Sequence, residues 1–475
     1  MNKYRDLNVS IGREGIFRAM YQSLLLLVVM VVTILSVPYL AADTYAMDEA
    51  EPDTEFAGGD GTKDDPYLVE TAEQLDNIRN YLNDNFKQNA HIDLSDYNGG
   101  EWEPIGYGDP EEPAFVPFEG VYDGNDYEIA NLTINETELE HVGLFGLIST
   151  AELKNINVIN ANVQGGKQTG LLIGTMVLGS VTNCHVEGDV TGYNTGGLAG
   201  LNGGGKINDS SADVEVEEEV LIGGLVGSNA HYDQESEDKL GPTVDEPVKG
   251  EIEDCYATGD VFGGTDSAQA GGLVGANGEG GVISSCHTNV NVKAPSSAAG
   301  AIAGSNGDTG YIIDSYAEEG SSVEAVFAGG VVGVNSGTVN EFSEDEMPII
   351  ENCYSFAEVT ALAGGAGGGI VGLNDELGTV NESYSDNKVT GRHAGGVVGA
   401  NVGIASNSYA LGSVVATESD EDSIIGGVAA INGLKNYEGT DGEELGGEVN
   451  RSYSVATLNG GDVEGGDCRH PGSRR

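Results

Sequence analysis

The side chains able to do chemistry are five cysteines, seven histidines and 77 aspartates and glutamates. In an exported chain cysteines suggest disulfides or a metal site. Four of these, Cys184, Cys255, Cys286 and Cys353, stand at one place in a recurring phrase, as in Ile252-Glu253-Asp254-Cys255-Tyr256-Ala257 and Ile350-Glu351-Asn352-Cys353-Tyr354-Ser355. Other copies carry Ser315, Ser383, Ser408 and Ser452 there. A slot shared by Cys and Ser suits a small buried rung better than a bridge. Cys255 and Cys286, in successive copies, are the pair a bridge would use. His185 and His287 fill the following position, which elsewhere holds Tyr256 or Tyr316, so they are members of the repeat first.

No His-Glu-x-x-His is present, no Gly-x-Ser-x-Gly stands between a strand and a helix, and the glycine-rich phrases lack the lysine of a phosphate loop. Carboxylates are too numerous for any pair to stand out. The sequence therefore predicts no catalytic residue, no cofactor and no metal ligands. Beyond residue 43, five Asn-x-Ser/Thr sequons begin at Asn131, Asn135, Asn208, Asn381 and Asn450. The last three overlap the recurring phrases, which leaves Asn131 and Asn135 as the glycosylation candidates.

These residues are positioned by a second phrase, Gly271-Gly272-Leu273-Val274-Gly275-Ala276-Asn277. It returns from Gly196, Gly223, Gly300, Gly329, Gly368, Gly395 and Gly426, and more loosely at 169–174 and 142–146, mostly 26 to 31 residues apart. Such a period marks a repeat whose units bury their apolar faces against one another. Three short extended pieces per unit, separated by Gly and Asn turns, predict an all-β chain, a parallel β-solenoid of about nine to ten coils. Leucine and valine fill it, and glycine provides positive φ and close backbone approach. Asn202, Asn229, Asn277, Asn306, Asn335, Asn374, Asn401 and Asn432 should stack as a ladder, each amide bonding the next. At strand spacing, nine or so coils would run about 45 Å. Surplus residues at 232–250, 341–348, 418–422 and 436–447 read as loops leaving the scaffold, the usual seat of binding in repeat proteins.

The organisation predicted along the chain is as follows. Residues 1–42 are a secretory signal or an uncleaved membrane anchor, because cations at Lys3, Arg5, Arg13 and Arg18 precede the uncharged run Ser23 to Ala42. Either way the acidic body goes outside. Arg13 and Arg18 are not adjacent, so no twin-arginine signal is indicated. Residues 43–58 are an acidic leader. Residues 59–140 form an N-terminal cap with a helix over 72–86, started by Thr71 and Gln74 and striped by Leu75, Ile78, Tyr81, Leu82 and Phe86. Such a cap covers apolar surface and strand edges at the open end of a solenoid. The solenoid occupies 141–460, and 461–475 is a tail of opposite charge balance.

The formal charge of −57 predicts a protein suited to a high-salt organism, with counter-cations offsetting the repulsion. Seven of the 20 Lys and Arg lie at Lys3, Arg5, Arg13, Arg18, Arg469, Arg474 and Arg475. The body therefore has no basic face for nucleic acid.

The order Asp60-Gly61-Thr62, Asp65-Pro66-Tyr67-Leu68-Val69, Thr71-Ala72-Glu73-Gln74-Leu75, Trp102-Glu103-Pro104-Ile105-Gly106, Phe118-Glu119-Gly120-Val121-Tyr122-Asp123-Gly124-Asn125, then repeated Gly-Gly-Leu-Val-Gly, resembles the GLUG-motif surface proteins from about Gly59 to Gly460. Asp126 departs where that family tends to have Gly, and Ala430 replaces a glycine of the last copy. The resemblance implies a secreted or surface-attached, non-enzymatic repeat protein: an adhesin or envelope scaffold presenting loops and an acidic face to a cell-surface, glycan or protein partner, touching a membrane only through its N-terminal segment. The alternative is an accessory binding region of an extracellular hydrolase.

Overall fold

A computed structural model describes residues 56–106, 116–218, 220–233, 241–264, 269–278, 280–337, 347–417, 423–433 and 446–460. The expected signal or anchor, nearly all of the leader, the tail, and the expected loops over 341–346, 418–422 and 436–445 lie outside them. Among the described residues no helix is long and apolar enough to cross a membrane.

One coil shows how the sequence winds. Ala303–Gly307 is extended, and the chain turns into Tyr311–Ile313. It turns again at Asp314 in a left-handed conformation (φ 52°), then runs through Tyr316–Ala317 and Ser322–Gly329. The next coil opens with Val332–Ser336, which pairs in parallel with Ala303–Gly307, Ala303 opposite Val332 and Asn306 opposite Asn335. Repetition builds three sheets of 10, 13 and 25 strands, and the ten strands from Phe145–Ile148 to Ala429–Asn432 mark ten coils among the described residues. The chain is a parallel β-solenoid.

Because registers are kept, each inward position becomes a column. Leu198, Leu225, Leu273, Ile302, Val331, Ile370 and Val397 are all fully buried. So are Ile207, Ile252, Ile283, Ile312, Ile350 and Val380, paired rung to rung. Burying one such side chain stabilises by about 1.5–3 kcal/mol. Only the inward face is covered: outward positions of the same strands, such as Asn289, Asn291 and Lys293 in His287–Gly300, are exposed.

The phrase glycines serve close approach and not turning. Gly271, Gly272 and Gly275 have no positive φ, but a Cβ on Gly272 would lie 2.1 Å from the carbonyl oxygen of Ala301 in the next coil. The left-handed corner is made instead by Asn155, Asn183, Asp209, Asp254, Ser285, Asp314, Asn352, Glu382, Asn407 and Arg451, with φ between 48° and 54°. Asn and Asp accept this region best among non-glycine residues. Asp126 (φ 62°) uses the same tolerance where a glycine was expected.

The capping helix is shorter than expected. It spans Ala72–Asn77, followed by a 3-10 turn at Ile78–Asn80. Thr71 Oγ1 accepts from Gln74 N at 3.3 Å, while Gln74 Oε1 reaches back to Glu70 N at 2.7 Å. Leu75 and Ile78 are buried as the stripe requires, but Phe86 lies in the strand Asn85–Gln88, paired with Tyr67. Helix propensity is weak through Asn80, Asn83, Asp84 and Asn85, and pairing with the first sheet wins. Within the expected strand Trp102–Gly106, only Ile105 makes a bridge, to Phe145.

Candidate functional site

The predicted ladder residues form two ladders, and the structure adds a third built of aromatic rings. The asparagines face inward and, apart from Asn432 in the last coil, are fully buried. Asn202 Nδ2 donates to Asn229 Oδ1 at 2.8 Å, Asn229 to Asn277 at 2.8 Å, Asn277 to Asn306 at 2.8 Å and Asn306 to Asn335 at 2.9 Å. The series continues through Asn374 and Asn401 to Asn432 at 2.8 Å per step. Most of these amides also donate to a glycine carbonyl, as Asn277 does to Gly281 at 3.0 Å and Asn306 to Gly310 at 3.1 Å. A Cβ at Gly310 would stand 2.4 Å from Asn306 Oδ1. These glycine partners were missed from sequence, although the spacing Asn277 to Gly281, Asn306 to Gly310 and Asn374 to Gly378 carried the signal.

Cys184, Cys255, Cys286 and Cys353 are buried free thiols. Cys184 N donates to Ser210 Oγ, Cys286 N to Ser315 Oγ and Cys353 N to Ser383 Oγ, at 3.1–3.2 Å, so sulfur and hydroxyl share one column. Burial pushes the Cys184 and Cys353 thiols up to about 12. It raises Cys286 too, and a hydrogen bond with the neighbouring Cys255 side chain that favours the protonated thiol adds to the effect. Protonated thiols in an apolar column are poor nucleophiles and poor ligands. Among the described residues no group of three His, Cys, Asp or Glu could hold a metal ion.

Apart from buried Ser211, the residue after each cysteine or serine of this column is at least partly exposed, and here a third ladder forms. The rings of Tyr256, His287, Tyr316, Tyr354, Tyr384, Tyr409 and Tyr453 stack in sequence, with centroids 4.5–5.3 Å apart and planes within 16° of parallel. Burial raises the Tyr354 and Tyr384 hydroxyls above their ordinary value, and the neighbouring phenols add to it. On the same sheet Asp189, Glu215 and Asp260 pair rung on rung, with Glu187 and Asp213 beside them. Asn291 Nδ2 closes this acidic row with a bond to Asp260 Oδ1 at 2.8 Å.

Of the glycosylation candidates, Asn135 is exposed near the end of Thr133–Glu136. Asn131 is half-buried, with Nδ2 donating to Asp93 Oδ1 at 2.7 Å. The expected loop over 232–250 rises from a small hairpin, His231–Tyr232 against Val248–Lys249, whose Tyr232 packs on Leu147 and Val177. Its residues 234–240 lie outside the described ones.

The GLUG motif family model matches residues 219–261. Over 98 residues the chain is 47% identical to a protein of Evansella cellulosilytica described as a candidate Gly-rich membrane protein, covering 20% of this chain and 11% of that one. Over 177 residues it is 35% identical to halomucin of Haloquadratum walsbyi, covering 35% of this chain and 2% of that one. The chain thus spans a small fraction of the length of these curated relatives. A solved structure of a candidate immunoglobulin A1 protease from Bacteroides ovatus aligns over 84% of this chain and 87% of that one, at 17% identity and a TM-score of 0.31.

Proposed function

We propose that this chain, a GLUG-motif repeat protein, is an exported, non-enzymatic surface protein that works as an adhesin or envelope scaffold. The observation that carries the reading is where the repeated side chains go. Asparagine amides bond one another, cysteines and serines form a sealed column, and leucine, isoleucine and valine fill the interior. The repeat is thereby consumed in building a stiff scaffold, and what varies between coils is the outer surface, where binding differences belong.

The N-terminal segment would direct export, as a cleaved signal or an anchor, and Asn135 is the better-placed glycan acceptor. The acidic rows need counter-cations and repel nucleic acid. The surface-type names of the relatives support a place at the cell envelope.

The test is sedimentation of the purified chain with isolated cell envelopes in molar salt, alongside incubation with a panel of polysaccharides and peptides. Association without hydrolysis is expected. Reproducible turnover abolished by one carboxylate substitution would overturn the reading.

A further inference from the structure

Beside the aromatic ladder lies a groove of about 730 Å³, lined by Glu319, Ser322, Phe356, Glu358, Asp386 and Lys388 among others. This is within the range of small-ligand sites. Among its lining residues is the aromatic ring of Phe356. That ring meets Tyr354 at 5.7 Å and 71°, and Tyr384 at 6.4 Å and 79°. Both faces of Tyr354 are covered by Tyr316 and Tyr384, and both faces of Tyr384 by Tyr354 and Tyr409. The two tyrosines can therefore meet Phe356 only with their edges. In an edge-to-face contact the face is then that of Phe356, a half-buried ring that also lines the groove. The result is a flat apolar platform, held by two rings that are themselves held.

Around the platform stand groups that bond hydroxyls. Glu319, Glu358 and Asp386 are exposed acceptors, Lys388 is an exposed donor, and Ser322, whose hydroxyl donates to Asn291 Oδ1 at 2.8 Å, can still accept. Three carboxylates against one ammonium give the rim a negative balance that disfavours anionic ligands. An aromatic platform ringed by acceptors and donors suits a ligand with one apolar face and an equator of hydroxyls.

We propose that this groove binds a neutral glycan, with one pyranose ring lying on Phe356 and its hydroxyls bonded to Asp386 and Glu319, and with further sugars continuing along the solenoid beside the tyrosine ladder. The proposal deepens the adhesive reading above by naming the partner's chemistry and the place of contact, which is a face of the scaffold and not an inserted loop.

The test is calorimetric titration of the full chain in concentrated potassium chloride with cellohexaose, maltohexaose and chitohexaose, using an oligogalacturonate as anionic probe. At least one neutral hexasaccharide should bind, and the oligogalacturonate should bind more weakly. Phe356→Ala should weaken binding roughly tenfold, the scale of one aromatic contact with its buried area. Asp386→Asn, which keeps size and should keep the fold, should weaken it severalfold, while Tyr193→Ala on a distant corner should leave it unchanged. No binding of any neutral hexasaccharide by folded protein overturns the proposal. So does equal binding of the galacturonate, or unchanged affinity in Asp386→Asn together with a folded Phe356→Ala. Envelope association that survives Phe356→Ala and Asp386→Asn would remove the groove and leave the adhesive scaffold standing. Glycan binding without envelope association would do the reverse.

Discussion

Replacing Asn306 by alanine tests whether the asparagine ladder holds the coils together. Asn306 is fully buried; it accepts from Asn277 Nδ2 at 2.8 Å and donates to Asn335 Oδ1 at 2.9 Å and to Gly310 O at 3.1 Å. In the variant Gly310 O keeps its bond from Ile349 N, and Asn277 Nδ2 keeps Gly281 O. Asn335 Oδ1 loses the bond from Asn306 and is left in a dry interior. A buried acceptor without a partner costs about 1–3 kcal/mol, and the second lost bond about 1 more, so Asn306→Ala should cost about 2–4 kcal/mol. Asn432 ends the ladder and is exposed. Its loss leaves Asn401 Nδ2 bonded to Gly403 O and Glu448 O, so Asn432→Ala should cost about 1 kcal/mol or less. The assay is denaturant unfolding at one fixed molar salt concentration, with hydrogen exchange to locate the damage. Nearest-neighbour coupling in a repeat predicts lost protection in the coils carrying Asn277, Asn306 and Asn335 before it spreads. Equal costs for the two variants, or protection lost uniformly along the chain, would refute the reasoning.

Other consequences follow from the same columns. Like charges directly opposite one another on neighbouring strands destabilise, and the Debye length shrinks from about 10 Å at 0.1 M to about 3 Å at 1 M. The melting temperature should therefore rise with salt, and Glu215→Gln, in the middle of Asp189, Glu215 and Asp260, should stabilise at low salt and have little effect at 1 M; a salt-independent melting temperature would contradict this. The buried thiols should resist a thiol reagent at pH 8 in the native state and react on unfolding. Because burial raises Cys184 and Cys353 from 9.0 to about 12, the protonated native state is favoured in full below about 9. Stability should fall as pH climbs from there towards 12, since the unfolded chain ionises first, and Cys353→Ser should lessen the slope. A Cβ at Gly330 would lie 2.1 Å from Gly369 O and 2.5 Å from Ser355 Oγ, so Gly330→Ala should cost about 1–3 kcal/mol in the same unfolding assay, whereas at Gly307, which has no positive φ, the nearest atom would be Ser336 O at 3.5 Å and Gly307→Ala should cost less.

The period of the glycine phrase and the alternation of inward residues determined the solenoid by themselves, because every coil solves the same packing problem in the same way. The shared slot of Cys184, Ser315 and Cys353 likewise carried its burial in the alignment of one coil with the next. Other features depended on contacts that no local count reaches. Phe86 joined a strand because Tyr67 was there to pair with it, not because its own segment lacked a helical stripe. The left-handed corners fell to Asn, Asp and even Glu382 and Arg451, since stacking imposes one corner conformation whatever residue stands there. The hairpin inserted between Asn229 and Gly250 breaks the count, so the register that sets Glu215 over Asp260 is decided only when the strands close around it. The edge-to-face seat of Phe356 was decided last. It depends on Tyr354 and Tyr384 having both their own faces occupied, a condition met only when four coils are stacked.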